Sequence, residues 1–427
     1  MSLKPYPDCA DSGVDWLGKL PAAWPVVPAK AVFRERKSRS NAEDTHLTPS
    51  QTYGVLPQAE YMEISGNRVV LNLSGADNMR HVEAGDYVSH LRSFQGGLEY
   101  SPLRGKVSAA YTVLSPRGTV DSFYFKYLFK SARYVQALQT TTDQLRDGQS
   151  IRYEQFALLP LPLPSVDEQR EIARFLDRET AEIDAFIADQ EELIALLLER
   201  RDSVWQAKVD KLGPISVVVP VRRAIRTIAD GPFGSSLTSA HYVESGARVV
   251  RLGNIGINAF KDRDKAFISL EYFEQLSAHE VCAGDVVVAG LGDDKMPLGR
   301  ATVVPDLGGP AIVKADCYRV RPNELVSANY LAWILSSPQS RAQMKVLSRG
   351  STRARLNTSV VREVLIPIPS RHDQDEFVER TSTVIREIDA ADADAQEAIA
   401  LSKERRAGLI SAAVTGKIDV RNHGGVE

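Results

Sequence analysis

Cysteine is scarce in this chain. Cys9, Cys282 and Cys317 are three in 427 residues, odd in number and irregular in spacing, which excludes a disulfide framework and a zinc-ligand set. Long apolar runs are missing as well. No stretch approaches the length of a membrane span, and the opening Met1-Ser2-Leu3-Lys4-Pro5 lacks the apolar core of a secretory signal, so a cytoplasmic location without membrane contact is expected. Two catalytic strings are also absent: the Gly-x4-Gly-Lys-Ser/Thr loop of nucleotide-driven motors and the Asn/Asp-Pro-Pro-aromatic loop that holds a flipped adenine. His81 and His90 have no Cys or carboxylate at ligand spacing and read as surface or core residues.

What is present is a sequence that repeats itself. Leu163-Pro164-Ser165-Val166-Asp167-Glu168-Gln169 returns as Ile368-Pro369-Ser370-Arg371-His372-Asp373-Gln374, and Glu199-Arg200-Arg201 returns as Glu404-Arg405-Arg406, both displaced by 205 residues. Fainter echoes precede them. Gly85-Asp86-Tyr87-Val88 matches Gly284-Asp285-Val286-Val287, and Tyr124 to Leu128 matches Tyr330 to Ile334. The chain therefore carries two tandem units, each a head followed by a tail. With 43% hydrophobic residues it can bury several cores. Lys+Arg minus Asp+Glu gives +2 for residues 1–164, −6 for 165–212, +5 for 213–364 and −4 for 365–427, so a polyanion would meet the heads and avoid the tails.

The tails have helical periodicity. From about Asp167 to Lys211, Leu176, Ile183, Gln190, Leu197 and Val204 fall at one seam position and Thr180, Ile187 and Ile194 at the other. Ser165 or Asp167 can cap this helix and Gly213-Pro214 can stop it. About 45 residues at 1.5 Å each make a rod roughly 65 Å long, which has no core of its own. The second tail repeats the pattern from Asp373 to about Thr415 with Ile385, Ile388, Ile399 and Leu409, and its seam is weaker because Asp392 and Ser402 stand where the first has Ile187 and Leu197. Each rod needs a partner, and the nearest is the other rod. The heads mix short β-rich runs (Tyr87 to Leu91, Ala110 to Leu114, Arg248 to Leu252, Asp285 to Ala289, Ala301 to Val304) with helices expected at Ser122 to Leu138 and Ala328 to Leu347. The expected fold is α+β: two tandem globular α+β domains, residues 1–164 and 213–369, separated by long helices over 165–212 and 370–420 that pair as an antiparallel coiled coil, with a tail at 421–427.

Several phrases carry a resemblance: Ser12-Gly13-Val14-Asp15-Trp16-Leu17-Gly18-Lys19-Leu20-Pro21 at the start, Arg92-Ser93-Phe94-Gln95-Gly96-Gly97 and Asp230-Gly231-Pro232-Phe233-Gly234-Ser235 in the heads, and Pro-x-Pro-x4-Gln leading each rod. In their order, twice over, the chain resembles the DNA-specificity subunit of type I restriction-modification systems along essentially its whole length. The entry His372-Asp373-Gln374 departs from the more usual Asp-Glu-Gln form. The resemblance implies a non-catalytic adaptor: two target recognition domains, each reading half of a split asymmetric site on double-stranded DNA. The helices would dock two methyltransferase (modification) subunits, with restriction motor-nuclease subunits joining. This chain would bind no cofactor, and S-adenosylmethionine, ATP and Mg would belong to the partners.

Reading DNA demands Arg, Lys, Asn, Gln or Ser on loops that can enter a groove. The candidates in the first head are Arg92 and Gln95, and Arg146, Gln149 and Arg152 around Asp147-Gly148. In the second they are Ser235, Ser236 and Asn254, and Arg349, Arg353 and Arg355. The seam residues Leu176, Ile183, Ile187, Ile194, Leu197, Val204, Ile388, Ile399 and Leu409 are the candidates for helix pairing or partner contact. No catalytic or metal-ligating residue is assigned. Two other readings stay open: a stand-alone metal-dependent endonuclease using Asp293 and Asp294 of Gly292-Asp293-Asp294-Lys295, and a coiled-coil scaffold without nucleic-acid binding.

Overall fold

The computed structural model describes residues 4–66, 79–90, 93–118, 120–141, 151–293, 296–348 and 355–421. Two compact units emerge: residues 1–190 with 397–427, and residues 191–396. Each combines one head with half of each long helix.

In the first unit, Phe33–Glu35, Val113–Pro116, Tyr87–Val88 and Glu99–Tyr100 pair in that order as an antiparallel sheet. Its core is aromatic: Phe33 sits with its ring centroid 4.9 Å from that of Phe125 and 5.6 Å from that of Tyr87, edge to face, and Phe129 and Phe156 close the cluster. The second unit builds the same sheet order from Ile225–Ala229, Cys317–Pro322, Val286–Ala289 and Ala301–Val303, also antiparallel, with valines on its faces. The units then diverge. The first carries the hairpin Leu47–Ser50 with Gly54–Pro57 and an antiparallel pair of Arg80–Val82 with Gly105–Val107. The second adds a four-stranded sheet in which Ala247–Val250 lies parallel to Ala311–Val313. Tyr87–Val88 and Val113–Pro116 are shorter or shifted relative to the β-rich runs expected there.

The repeated Gly-Asp phrase is a turn. Gly85 and Gly284 adopt φ of 96° and 87°, and the following carboxylates accept the amides of Glu83 and Cys282 at 2.8 and 2.9 Å. The buried Asp86 is then gripped by Arg36 at 2.6 and 3.0 Å, whereas Asp285 pairs with Arg321 at 3.1 Å. One device is thus completed from a different strand in each unit.

Both expected head helices break in two. Ser122–Leu128 gives way to Ala132–Thr140, and Ala328–Ser336 to Pro338–Leu347. Ser131 and Ser337 cap the second helix of each pair, and Pro338 at its first position cannot donate to the preceding turn. The long helices run unbroken over Val166–Asp210 and Arg371–Val414. Ser165 and Ser370 cap them through Oγ, accepting the amides of Glu168 and Asp373, both at 3.3 Å.

Within each unit the helices run antiparallel. Arg406 meets Asp184 at 2.8 Å in the first and Arg201 meets Asp389 at 3.4 Å in the second. By the 205-residue displacement these are the same ion pair with its partners exchanged. Leu176, Ile183, Ile187 and Ile388 are buried, while Ile194, Leu197, Val204, Ile399 and Leu409 are half-buried. Trp205, outside the expected seam, is the largest fully buried side chain and stacks obliquely on Trp333 at 5.1 Å.

The repeated Pro-x4-Gln phrase joins head to helix. Gln169, buried, donates to the carbonyl of Pro164 at 2.8 Å and accepts the amide of Asp121, the cap of helix Ser122–Leu128, at 2.8 Å. Gln374 donates to the carbonyls of Pro369 and Leu325 and accepts the amide of Ser327, the cap of Ala328–Ser336, at 2.9 Å. Either glutamine satisfies backbone groups on both sides of the joint, because its side-chain amide carries a donor and an acceptor together.

Candidate nucleic-acid interface

In the second head two loops meet at Arg355. Asp230 folds its loop back on itself: its carboxylate accepts the amides of Gly231 at 2.7 Å and Asp316 at 2.9 Å, and burial raises its pKa despite these donors. Arg355 Nε donates to Asp316 at 2.7 Å, and its guanidinium lies 5.4 Å from the centroid of the Phe233 ring. Hydrogen bonding to Asp316 raises the pKa of Arg355 further. Phe233, Ser235 and Ser236 on the same loop are exposed, and Tyr272 holds the Ser236 carbonyl at 2.6 Å. Ser235, Ser236 and Arg355 are thereby brought to one rim. An exposed cation on an aromatic face, flanked by hydroxyls, can meet a phosphate or a base edge. Arg349 and Arg353 lie outside the described residues.

Asn254 has a different place. It is fully buried, its amide donates to the carbonyls of Lys261 and Asp264 at 2.8 and 3.0 Å, and its oxygen accepts the Arg251 amide at 2.8 Å. It shapes a turn whose outward groups are Arg251 and Lys261. Arg300, which the sequence did not single out, sews this turn to the next loop. Its buried guanidinium donates to the carbonyls of Ile255 at 2.7 Å, Leu291 at 2.8 Å and Leu252 at 3.1 Å, and burial lowers its pKa. Beside it opens a cleft of about 340 Å³ lined by Gly253, Lys261, Gly292 and Asp293. Asp293 closes a turn, its carboxylate accepting the Met296 amide at 2.7 Å, while Asp294 and Lys295 lie outside the described residues. Among the described residues no cluster of His, Cys, Asp and Glu could hold a metal ion, and no helix is long and apolar enough to cross a membrane.

In the first head, Gln95 is exposed on the short helix Ser93–Gly96, and Arg152 is exposed where Tyr153–Ala157 begins, its amide donating to Gln155 at 3.0 Å. Arg92, Arg146 and Gln149 lie outside the described residues. Gly97, two residues on from Gln95, is pressed against the head itself: a Cβ there would lie 1.8 Å from the Phe129 carbonyl oxygen. His81 is a core histidine between two carboxylates, Asp44 at 2.6 Å and Glu83 at 2.7 Å, with Arg104 3.6 Å from Asp44. Burial disfavours its protonation, but the bonds to Glu83 and Asp44 outweigh that and raise its pKa. Asp44 and Glu83 are correspondingly lowered. Neither partner, Glu83 two residues on or Asp44 37 residues back, was picked out from the sequence by ligand spacing.

Comparison with known proteins supports one identity. Residues 271–398 match the family model described as the type I restriction modification DNA specificity domain. The chain is 21% identical over 312 residues to the type I restriction enzyme MjaVIII specificity subunit of Methanocaldococcus jannaschii, a match covering 69% of this chain and 71% of that protein. It is 24% identical over 170 residues to the StySPI specificity subunit of Salmonella potsdam, covering 40% of this chain and little more than a third, 36%, of that one. A chain solved in work on complex assembly and conformational transition of the type I R-M system has the same fold, with a TM-score of 0.63 at 15% identity over 92% of this chain and 98% of that chain. With its duplicated heads and helices, the chain is similar to the specificity subunits of type I restriction-modification systems.

Proposed function

We propose that this chain selects the DNA sequence on which a type I restriction-modification complex acts. Each head reads one half of a bipartite, asymmetric double-stranded site. The helices dock two methyltransferase subunits and, through them or beside them, restriction motor-nuclease subunits. Chemistry belongs to those partners, with their S-adenosylmethionine, ATP and Mg, and the chain alone performs none. The observation that carries this reading is the pairing of sameness and difference: one sheet order and one glutamine joint used twice, beneath loops that share almost nothing. In the second head, the rim of Arg355, Phe233, Ser235 and Ser236 supplies the cation, ring and hydroxyls that groove and backbone recognition use.

The test is methylome sequencing of cells carrying the cognate modification subunit, with and without this chain. A two-part methyladenine motif should appear only when the chain is present. Cleavage or methyl transfer by the purified chain alone would overturn the proposal.

A further inference from the structure

The duplication lets one half of the molecule report what is missing from the other. In the first unit the start of the first long helix and the end of the second form a groove that the chain fills with its own Tyr6. That ring is 6% exposed, donates its hydroxyl to Glu168 at 2.7 Å, meets Trp24 edge-on at 5.7 Å and lies under the Arg421 guanidinium at 4.8 Å. The cover is close. A Cβ on Gly416, at the helix end, would stand 2.2 Å from Pro21 and 3.2 Å from Trp24, and Ala413 and Val420 are buried. Tyr6, Pro21 and Trp24 flank the hairpin of Cys9–Asp11 and Lys19–Pro21, which precedes the first strand of the head.

The second unit has the same groove without the hairpin. There the helix runs through Leu212 and Gly213–Ile215 straight into strand Val217–Pro220. A cavity of about 170 Å³ lies at the joint, floored by Leu212 and Phe377 and rimmed by Lys208, Lys211, Asp373 and Arg380. By the 205-residue displacement, Asp373 stands where Glu168 receives the Tyr6 hydroxyl, Lys211 stands where Gly416 meets Trp24, and Ile215 stands where Val420 is buried. Val420 is 3% exposed; Ile215 is 58% exposed, with Val217 and Val218 beside it at 70% and 54%. Ile215, which lines this carboxylate-bearing cavity, is a bare aliphatic side chain that is costly to leave in water.

We infer that this groove is an acceptor for an extended, acidic segment of another protein that inserts a tyrosine as Tyr6 does in the first unit. Such a tyrosine would donate to Asp373, and an apolar residue flanking it would cover Ile215. The acidic character follows from the rim. Lys208, Lys211 and Arg380 replace Ala413, Gly416 and Phe175 of the first unit, so the second groove carries three cations against the carboxylates of Asp373 and Glu376, where the first has Arg421 over the tyrosine ring. A nucleic acid is a poor occupant, because the hydroxyl acceptor is a carboxylate and Glu376 also lines the cavity. The inference specifies one partner contact of the proposed function, yet it stands on the duplication and not on what the heads read.

The test uses the full chain and, as probe, a fluorescent synthetic peptide of its own residues 4–24 with Cys9→Ser. Saturable binding by anisotropy is expected, weakened roughly tenfold when the peptide carries Tyr6→Phe, since the lost hydrogen bond is to a charged group. Ile215→Glu in the protein should weaken binding at least as much. Ile215 is exposed, so this variant should keep the wild-type melting temperature, and Asp373→Asn gives a second, isosteric probe of the hydroxyl acceptor. Absence of saturable binding at about 1 mM peptide, or binding unchanged by Ile215→Glu, overturns the inference. DNA recognition is read separately from the methylome, so either proposal can fail while the other stands.

Discussion

Arg355 shows how far single residues could be read. Its place in a run of arginines marked it in the sequence, but the ring it lies against is 122 positions away, and no local pattern announces a cation–π contact across that distance. Arg355→Ala should weaken binding of cognate DNA by the assembled complex by about 1–3 kcal/mol, measured by anisotropy across a salt series. Arg355→Lys should recover little, because an ammonium has no planar face to lay on Phe233 while it donates to Asp316. The His81 cluster makes a separate prediction, for stability. With its pKa raised in the folded chain, His81 contributes stability that is full below the unfolded value near 6.5 and is lost as pH rises through the folded value. Asp44 and Glu83, lowered, contribute above the unfolded carboxylate range near 4 and lose that contribution as pH falls through their folded values. The gap in melting temperature between wild type and His81→Ala should therefore be widest at about pH 5–6 and narrow by about pH 9. A gap independent of pH would mean that the cluster is held by packing alone.

Among the elements, the long helices were legible nearly to the residue because an apolar period, a serine cap and a glycine stop all agreed. The head helices were legible in position but not in their breaks. Apolar residues run on through Phe129 and Leu335, and only the capping use of Ser131 and Ser337 divides them. Trp205 escaped for a related reason: a coiled-coil seam describes helix against helix, and this ring is buried instead with Trp333 of the head. Trp205→Ala should cost about 3–5 kcal/mol in urea unfolding. The joints follow the same logic. Gln374→Ala strands the Ser327 amide and the Leu325 carbonyl, and should cost about 2–4 kcal/mol, while Gln374→Glu, which keeps the acceptor and loses the donor, should recover part of it. If the helices set the number of unread base pairs, seven residues added to both should lengthen the gap in the methylated motif by about three base pairs.

At the scale of the whole molecule, the duplication announced two heads and two tails, and the matched Gly-Asp turns and glutamine joints explain why those phrases persisted while the loops did not. What the sequence could not announce is the pairing of Ala247–Val250 with Ala311–Val313, since parallel strands need a long excursion that leaves no periodic trace. The exchanged ion pairs, Arg406 with Asp184 and Arg201 with Asp389, were equally hidden, although each follows from the other once one is known.

In the first unit the amide of Asp419 donates to the carbonyl of Lys4 at 2.8 Å, and Arg421 rests on Tyr6. The backbone thus all but closes on itself there, at the place where the second unit passes unbroken from helix to strand. A short glycine bridge from residue 421 to residue 4, with the opening moved to the exposed turn at Gly308-Gly309, should leave folding and melting temperature almost untouched. Refolding of such a permuted chain with the wild-type melting temperature would show that the order in which the elements are joined there does not set this fold.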